Sequence, residues 1–291
     1  IRIRSMTMLK KTALNKAALG IGAMFGIYWC YSVLISNMID IPKFANTIIG
    51  LVSLYGLGLA VYMFVIKAVP SQKINKEKIS KKTVALCFLL QFTAIMILSM
   101  LVNISSLAGQ PEQPNNIDAL SPYSLFMLLI FNPVIEEFVF RKLLADKLYK
   151  YGEGFFILVS AFCFSIVHGV SLGLPQIVYT FILGLIWSYL YAKTGNFILV
   201  VAMHAISNFF GSIMVQFLSG ISMELTGMYS MLMMICAVVG AVLFAVNKKK
   251  ISVDSKAHLF GKEDIKSVFT NQGIWAYTAV TVIFIVLKCI V

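Results

Sequence analysis

Three short polar motifs lie inside long apolar stretches of this sequence, and their side chains are those that hydrolytic enzymes use. The motifs are Glu136-Glu137-Phe138-Val139-Phe140-Arg141, Phe164-Ser165-Ile166-Val167-His168 and His204-Ala205-Ile206-Ser207-Asn208. A carboxylate with an imidazole can act as a general base, and fixed hydrogen-bond donors can stabilise an oxyanion. Because charge is costly in hydrocarbon, ionisable residues in a membrane segment are candidates for function.

The first motif predicts one paired and one available carboxylate. Glu137 and Arg141 lie four residues apart, so they share a helix face and can form an ion pair. Glu136 points about 100° away from Glu137. Pro133 suits the first turn of a helix with Asn132 as its cap. We therefore expect a break or kink there, with both glutamates near the start of a new helix, where the helix dipole favours carboxylates. The alternative is an ion-pair network at a helix end on the membrane surface.

Both histidine motifs have a structural alternative. A lone histidine in an apolar helix, such as His168, is more often a packed or helix-bridging residue than a catalyst. His204 and Asn208 share a helix face and can equally form interhelical hydrogen bonds. Two of the three histidines, the paired glutamates and an intramembrane arginine fall in successive apolar segments. A common site therefore explains the set better than separate structural roles.

The composition indicates which elements must hold these residues. Of 291 residues, 59% are hydrophobic and 12% are charged, against about 45–50% and about 25% in soluble domains. This excludes a disordered chain and, despite a net charge of +12, a nucleic-acid binder. Apolar stretches approach the ~20 residues that cross a bilayer at about 17–36, 45–69, 83–107, 122–147, 154–170, 174–192, 196–219, 227–246 and 273–291.

We predict an all-α polytopic membrane protein, a bundle of eight or nine transmembrane helices around a polar intramembrane cavity. Its parts are N-terminal membrane helices (1–119), a core with the three motifs (120–220) and C-terminal membrane helices (221–291). Every second joint between spans is rich in lysine or arginine, which predicts a multi-pass protein of the cell membrane with a cytoplasmic N-terminus. Lys43 alone breaks this pattern. The lysine-rich connections 70–82 and 247–272 need be no more than solvated loops beside anionic lipid.

The depth of the candidate residues is the difficulty in this interpretation. In straight spans Glu136 lies ~21 Å from the outer end, counted from Pro122, and His168 lies ~21 Å from the cytoplasmic end, counted from Gly154. These positions do not meet. We expect the break at Pro133, the glycines at 152 and 154 and helix tilt to bring them level. Convergence around a water-sized space facing the cytoplasm would support hydrolysis.

Two other types of intramembrane protease lack their motifs here. The sequence contains no His-Glu-x-x-His and no Gly-x-Gly-Asp. Ser165 and Ser207 each lie three residues from a histidine, but serines in membrane helices usually bond to their own backbone. A serine nucleophile is therefore not expected.

In their order and spacing, the three motifs resemble the CAAX prenyl protease type II and bacteriocin-processing (CPBP, or Abi) family of intramembrane proteases. The match covers roughly residues 120–220. One departure is Lys142, where the family usually has glycine after the arginine. The resemblance implies an endopeptidase that cuts a peptide bond within or beside the membrane.

The resemblance also implies roles for the individual residues. Glu136 would act with His168 to orient and deprotonate a water molecule. His204 and Asn208 would stabilise the oxyanion of the tetrahedral intermediate. Glu137, Arg141 and Phe164 would support the shape of the site. No cofactor is expected, although Glu136, His168 and His204 form a possible zinc set with an open water position.

The resemblance leaves the substrate class broad. A membrane peptide or protein within the lipid bilayer is the expected partner. The preference for lysine over arginine suggests a bacterium of low GC content, where a leader, pheromone precursor or bacteriocin is a better substrate than a prenylated protein. The alternative function is a non-proteolytic membrane binding partner or immunity factor that uses the same cavity.

Overall fold

The computed structural model describes residues 2–74, 76–107, 118–248, 251 and 262–290, and the regular structure in these ranges is helical throughout. Nine of the described helices are long and apolar enough to cross a membrane, which confirms the polytopic all-α prediction. They are α1 (Met8–Ile35), α2 (Lys43–Lys67), α3 (Lys81–Leu107), α4 (Pro122–Tyr151), α5 (Glu153–Val170), α6 (Leu174–Thr194), α7 (Phe197–Ser219), α8 (Met223–Asn247) and α9 (Gln272–Ile290). A short helix, Lys262–Phe269, precedes α9.

A single residue connects α4 to α5. Gly152 adopts φ 130° and ψ 138°, a conformation that side chains beyond glycine rarely take. The two helices therefore form a tight hairpin, and α4 continues to Tyr151, beyond the predicted end at residue 147. This hairpin joins the first two motifs.

Helix α5 lies at the centre of the bundle. Of its apolar stretch 83% is buried, whereas the value for α8 is 11%, so α8 faces the lipid. Small residues let α5 and α6 approach closely. A Cβ atom placed on Gly184 would lie 2.8 Å from the Cα of Ala161. The close contact fixes the helix that carries His168.

A chain of hydroxyl groups crosses the buried core and links three helices. The Ser188 hydroxyl of α6 donates to Ser160 Oγ of α5 at 2.8 Å. Ser160 in turn donates to the backbone carbonyl of Phe140 in α4 at 2.6 Å. Both serines are fully buried. The chain holds α4 in register with α5 at the level of the first motif.

The connection 70–82 is largely exposed, as expected, but it is also anchored to the bundle. The Lys147 ammonium donates to Ser71 Oγ at 2.8 Å, and the backbone N–H of Glu77 donates to the carbonyl of Lys193 at 2.7 Å. Lys193 forms a buried ion pair with Glu153 at 3.0 Å. Most of the second lysine-rich connection, 247–272, lies outside the described residues.

The contact between α5 and α6 can be tested with a matched pair of glycines. Gly184→Val would place methyl groups against the backbone of Ala161, and such overpacking costs about 1–3 kcal/mol. Gly227→Val is the control, because no atom lies within 4 Å of that Cβ position in α8. We expect a lower thermal unfolding midpoint in detergent for Gly184→Val alone. Equal midpoints for the two variants would contradict this packing.

Candidate active site

Helix α4 departs from α-helical geometry on both sides of the two glutamates. π-helical turns cover Met127–Phe131 and Phe138–Leu143, and the segment Asn132–Glu137 between them is α-helical. The predicted break at Pro133 is wrong. Phe131 has φ −66° and ψ −57°, so the chain remains helical into Pro133, and Asn132 lies inside the helix. The π turn accommodates the missing N–H of proline without ending the helix.

Neighbouring helices supply hydrogen-bond donors to both π turns. In the i→i−5 pattern the amide of residue 133 would serve the carbonyl of Leu128, but Pro133 has no N–H. The Asn208 side-chain amide of α7 donates to that carbonyl at 2.8 Å. Ser160 serves the carbonyl of Phe140 in the second turn. These two bonds fix the glutamate segment relative to α5 and α7.

Glu137 and Arg141 form the expected ion pair, and neither side chain has exposed surface. Glu137 Oε2 lies 3.1 Å from Arg141 Nε. The guanidinium carbon lies 4.4 Å from the centre of the Phe164 ring and 5.4 Å from that of Trp187, so aromatic faces share in stabilising the charge. No described residue accepts a hydrogen bond from either Nη nitrogen of Arg141. The pair is held by charge and ring contacts inside the bundle.

His204 is oriented by Glu137. Its Nδ1 lies 2.9 Å from Glu137 Oε1. Because a carboxylate accepts, Nδ1 carries the proton, and the neutral ring presents the lone pair of Nε2. The Trp187 ring stacks on the imidazole with centroids 4.2 Å apart and an interplanar angle of 23°. The stacked ring and the carboxylate together fix the plane of the histidine.

His168 is oriented in the same way by a backbone group. Its Nδ1 lies 2.8 Å from the carbonyl of Phe164, so this nitrogen donates and Nε2 again has the lone pair. Nε2 of His168 lies 4.0 Å from Glu136 Oε2, and Nε2 of His204 lies 3.8 Å from the same oxygen. These distances are too long for direct hydrogen bonds and leave room for a bridging water molecule.

The structure also resolves the question of depth. Glu136 and His168 each lie 16 residues from Gly152, one on each side of the hairpin. At 1.5 Å per residue both stand ~24 Å from the turn, so two straight helices bring them level. The expectation that straight spans keep them apart is wrong, because it counted the two residues from opposite ends of the bundle.

The two serines beside the histidines take part in local contacts. Ser165 Oγ donates to the carbonyl of Phe162 at 2.9 Å, as expected for a serine in a membrane helix. Ser207 differs, because its hydroxyl lies 3.2 Å from the hydroxyl of Tyr179 in α6. The Ser207 contact joins α6 and α7 below the site.

Trp187 and Gln91 support the site, although the sequence analysis did not select them. Trp187 Nε1 donates to Gln91 Oε1 at 3.0 Å, and Gln91 Nε2 lies 3.5 Å from the sulfur of Met203. Gln91 is thus a buried amide of α3 that orients the ring stacked on His204. An amide inside an apolar span was the available signal, since such groups often bond between helices.

A cavity of about 560 Å³ lies beside the carboxylate of Glu136 and the ring of His168. It extends to the end of the bundle that holds Ser36, Lys43 and Tyr123. In the predicted orientation this end lies outside the cell, so the cavity opens away from the cytoplasm. The orientation itself stays a prediction from the distribution of lysines.

The donor atoms around Glu136 are spaced too widely for a bound zinc ion. Zinc bonds of 2.0–2.2 Å in a tetrahedral site would place ligand atoms ~3.4 Å apart. The separations of Glu136 Oε2 from the two Nε2 atoms, 4.0 and 3.8 Å, are wider. Within the described ranges no group of three His, Cys, Asp or Glu side chains is placed to hold a metal ion. The arrangement as it stands does not fit zinc.

Comparisons with known proteins agree with the three motifs. Residues 118–210 match the model of the Rce1-like family, described as type II CAAX prenyl endopeptidase. The chain is 31% identical over 156 residues to the membrane-embedded CAAX protease MroQ of Staphylococcus aureus (strain USA300), in an alignment that covers 48% of this chain and 62% of that protein. No solved structure matches the chain significantly. Residues 118–210 are therefore similar to the CAAX protease family that the motifs indicated, and the chain spans less than two thirds of the length of the staphylococcal relative.

Proposed function

We propose that this protein is an intramembrane endopeptidase that hydrolyses a peptide bond of a membrane-associated peptide or protein. One observation carries the proposal: Glu136 Oε2 lies within 4.0 Å of Nε2 of both His168 and His204, beside a cavity of about 560 Å³. The volume falls in the range of small-ligand sites. The family match and the name of the staphylococcal relative support peptidase chemistry.

The proposed nucleophile is a water molecule held between Glu136 and His168. The neutral His168 ring accepts at Nε2 because Nδ1 donates to the Phe164 carbonyl. Water bound there donates one hydrogen to Nε2 and the other to the carboxylate, and its oxygen lone pair is directed at the scissile carbonyl. As the oxygen attacks the carbon, a proton passes to the Glu136–His168 pair, which returns it to the leaving amine when the C–N bond breaks.

The proposed oxyanion donor is His204 in its protonated form. Its Nδ1–H is already bonded to Glu137, so only an added proton at Nε2 makes that nitrogen a donor. The carboxylate of Glu137 favours the resulting positive charge, and Arg141 limits how strongly it does so. Asn208 is assigned the same role through its second N–H, since one is bonded to Leu128. No cofactor takes part in the proposed reaction.

Removing either half of the base pair should abolish cleavage. We expect Glu136→Gln and His168→Ala each to lower kcat/KM by about 100-fold or more, because general base catalysis contributes that much. Glu224→Gln, an exposed carboxylate at the start of α8, is the control. Cleavage of apolar peptides in detergent micelles is followed by mass spectrometry, with unfolding midpoints as a check on folding. Full biological activity of both variants would favour the non-proteolytic binding partner instead.

Variants of the buried Glu137–Arg141 ion pair should distinguish its effect on stability from its effect on cleavage activity. Arg141→Met leaves the Glu137 carboxylate uncompensated in the bundle, which costs about 3–5 kcal/mol. Adding Glu137→Gln removes that charge, so we expect the double variant to regain most of the lost unfolding midpoint. It should stay inactive, because His204 then lacks the carboxylate that supports its protonation. Recovery of activity in the double variant would show that Glu137 is not needed to support the protonation of His204.

The metal question has a direct test. We expect cleavage activity to survive prolonged treatment with a strong chelator, and elemental analysis of the purified protein to find no stoichiometric zinc. Inactivation that added Zn²⁺ reverses would instead assign Glu136, His168 and His204 as zinc ligands. Glu136→Gln with the chelator omitted serves as the inactive reference.

A further inference from the structure

The cavity beside Glu136 has one charged residue of each sign in its lining. Glu136 is the single acidic lining residue and Lys43 is the single basic one. All other lining side chains are uncharged or, for His168, neutral in the tautomer described above. A ligand that fills the cavity therefore meets a carboxylate at one end and an ammonium at the other.

Lys43 and Glu136 are separated by the length of the cavity. On α2 the lining residues follow a helical stripe from Lys43 through Thr47 and Gly50 to Leu54. Eleven residues at 1.5 Å each place Leu54 ~17 Å from Lys43 along the helix. Tyr55, at the same depth as Leu54, lines the cavity, and its ring contacts that of Phe131, five residues before Glu136. About five residues of extended peptide span such a distance at ~3.3 Å each.

The lining near Lys43 is polar. The Tyr31 hydroxyl donates to Asn46 Oδ1 at 2.6 Å, and Ser32, Ser36 and Thr47 also line this end. Lys43 is exposed and forms no ion pair with any described residue. A second cavity of about 320 Å³ shares Tyr28, Trp29 and Ser32 with the first and is lined by Lys288, which adds a second cation at the same end.

Lys43 also lacks a topological explanation. It is the one lysine that breaks the alternation of basic and non-basic joints. The positive-inside pattern does not account for it, and its position at the cavity mouth makes its ammonium accessible to a negatively charged ligand.

We propose that Lys43 binds a carboxylate of the substrate at the mouth of the cavity, about five residues from the bond that is cleaved at Glu136. This inference rests on the proposed peptidase function and specifies its substrate: an apolar peptide with a carboxylate at that spacing. The carboxylate belongs either to the C-terminus of the peptide or to an acidic side chain. Lys43 is a binding residue, because it lies far from the reacting atoms.

The experiment compares three fluorescent apolar peptides of roughly ten residues, about twice the proposed span. One has a free C-terminal carboxylate, one a C-terminal amide, and one an amide together with a single internal Asp. Each is tested in detergent micelles against the unaltered protein, Lys43→Met, Lys43→Arg and the control Lys78→Met. Lys78 is also exposed but does not line the cavity. KM, kcat and the cleaved bond are measured.

We expect Lys43→Met to raise KM about 3- to 10-fold for a carboxylate peptide with kcat unchanged, as for loss of one partly exposed charge pair. With the unaltered protein the amide peptide should show the higher KM, and Lys43→Met should leave the KM of that peptide unchanged. Lys43→Arg should restore the lower KM, and Lys78→Met should not alter it. Cleavage four to six residues from the carboxylate completes the expected result. The peptide whose KM rises in Lys43→Met shows whether Lys43 binds the C-terminal carboxylate or the carboxylate of an acidic side chain. Equal KM values for all three peptides with the unaltered protein overturn the proposal, and so does a carboxylate-peptide KM that Lys43→Met leaves unchanged.

A binding measurement separates this inference from the peptidase proposal. Glu136→Gln keeps Lys43 and the cavity but lacks the proposed base. Fluorescence anisotropy of the same peptides with Glu136→Gln, with and without Lys43→Met, reports affinity without cleavage. Tighter binding of the carboxylate peptides that Lys43→Met removes supports the Lys43 assignment even if no peptide is ever cleaved. Equal affinities overturn it, whatever the outcome of the cleavage assays.

Discussion

The buried carboxylate of Glu137 is the interaction on which the arrangement of the site depends. It faces Arg141 one turn later in α4 and accepts the Nδ1–H of His204 from α7. A carboxylate without exposed surface would be strongly unfavourable alone, and the guanidinium compensates its charge. Glu137 can then orient His204, while the adjacent Glu136 turns toward the cavity. Two neighbouring glutamates thus have different roles because only one is in register with the arginine.

The backbone of α4 is under a related constraint. Inside a bilayer each peptide group must find its partner within the protein, and Pro133 removes one donor. The π turn before Pro133 and the amide of Asn208 resolve this together, through the carbonyl of Leu128. At the second π turn the hydroxyl of Ser160 donates a hydrogen bond to the carbonyl of Phe140. Irregular helix geometry is tolerated here because side chains of α5 and α7 complete it, and those same helices carry the histidines.

Much of this fold could be predicted from the sequence because hydropathy and helical spacing are local properties. The nine spans follow from apolar length, and the Glu137–Arg141 pair follows from a four-residue spacing. The predicted relative depth of Glu136 and His168 depended on the point from which residues were counted along each helix. Counting from opposite membrane surfaces separates them, whereas counting from Gly152 shows that the hairpin itself sets their register. For two helices joined by a single residue, the turn between them is the better point from which to count the depth of each residue.

The supporting contacts around His204 could not be predicted in the same way. Trp187 and Gln91 come from α6 and α3, and their hydrogen bond depends on the packing of helices far apart in sequence. The clamp between Asn208 and Leu128 likewise joins residues 80 positions apart. Asn208 was predicted as a member of the set from its spacing to His204, whereas its bond to the backbone of α4 depends on the three-dimensional arrangement.

The tautomers of the two histidines link the membrane environment to the proposed chemistry. Nδ1 of each ring donates to a fixed acceptor, so both Nε2 atoms and Glu136 Oε2 are acceptors that face one another. Three acceptors cannot bond to one another directly. In the proposed reaction a water molecule donates to Glu136 and His168, and the same acceptors draw off its proton as its oxygen attacks the carbonyl carbon.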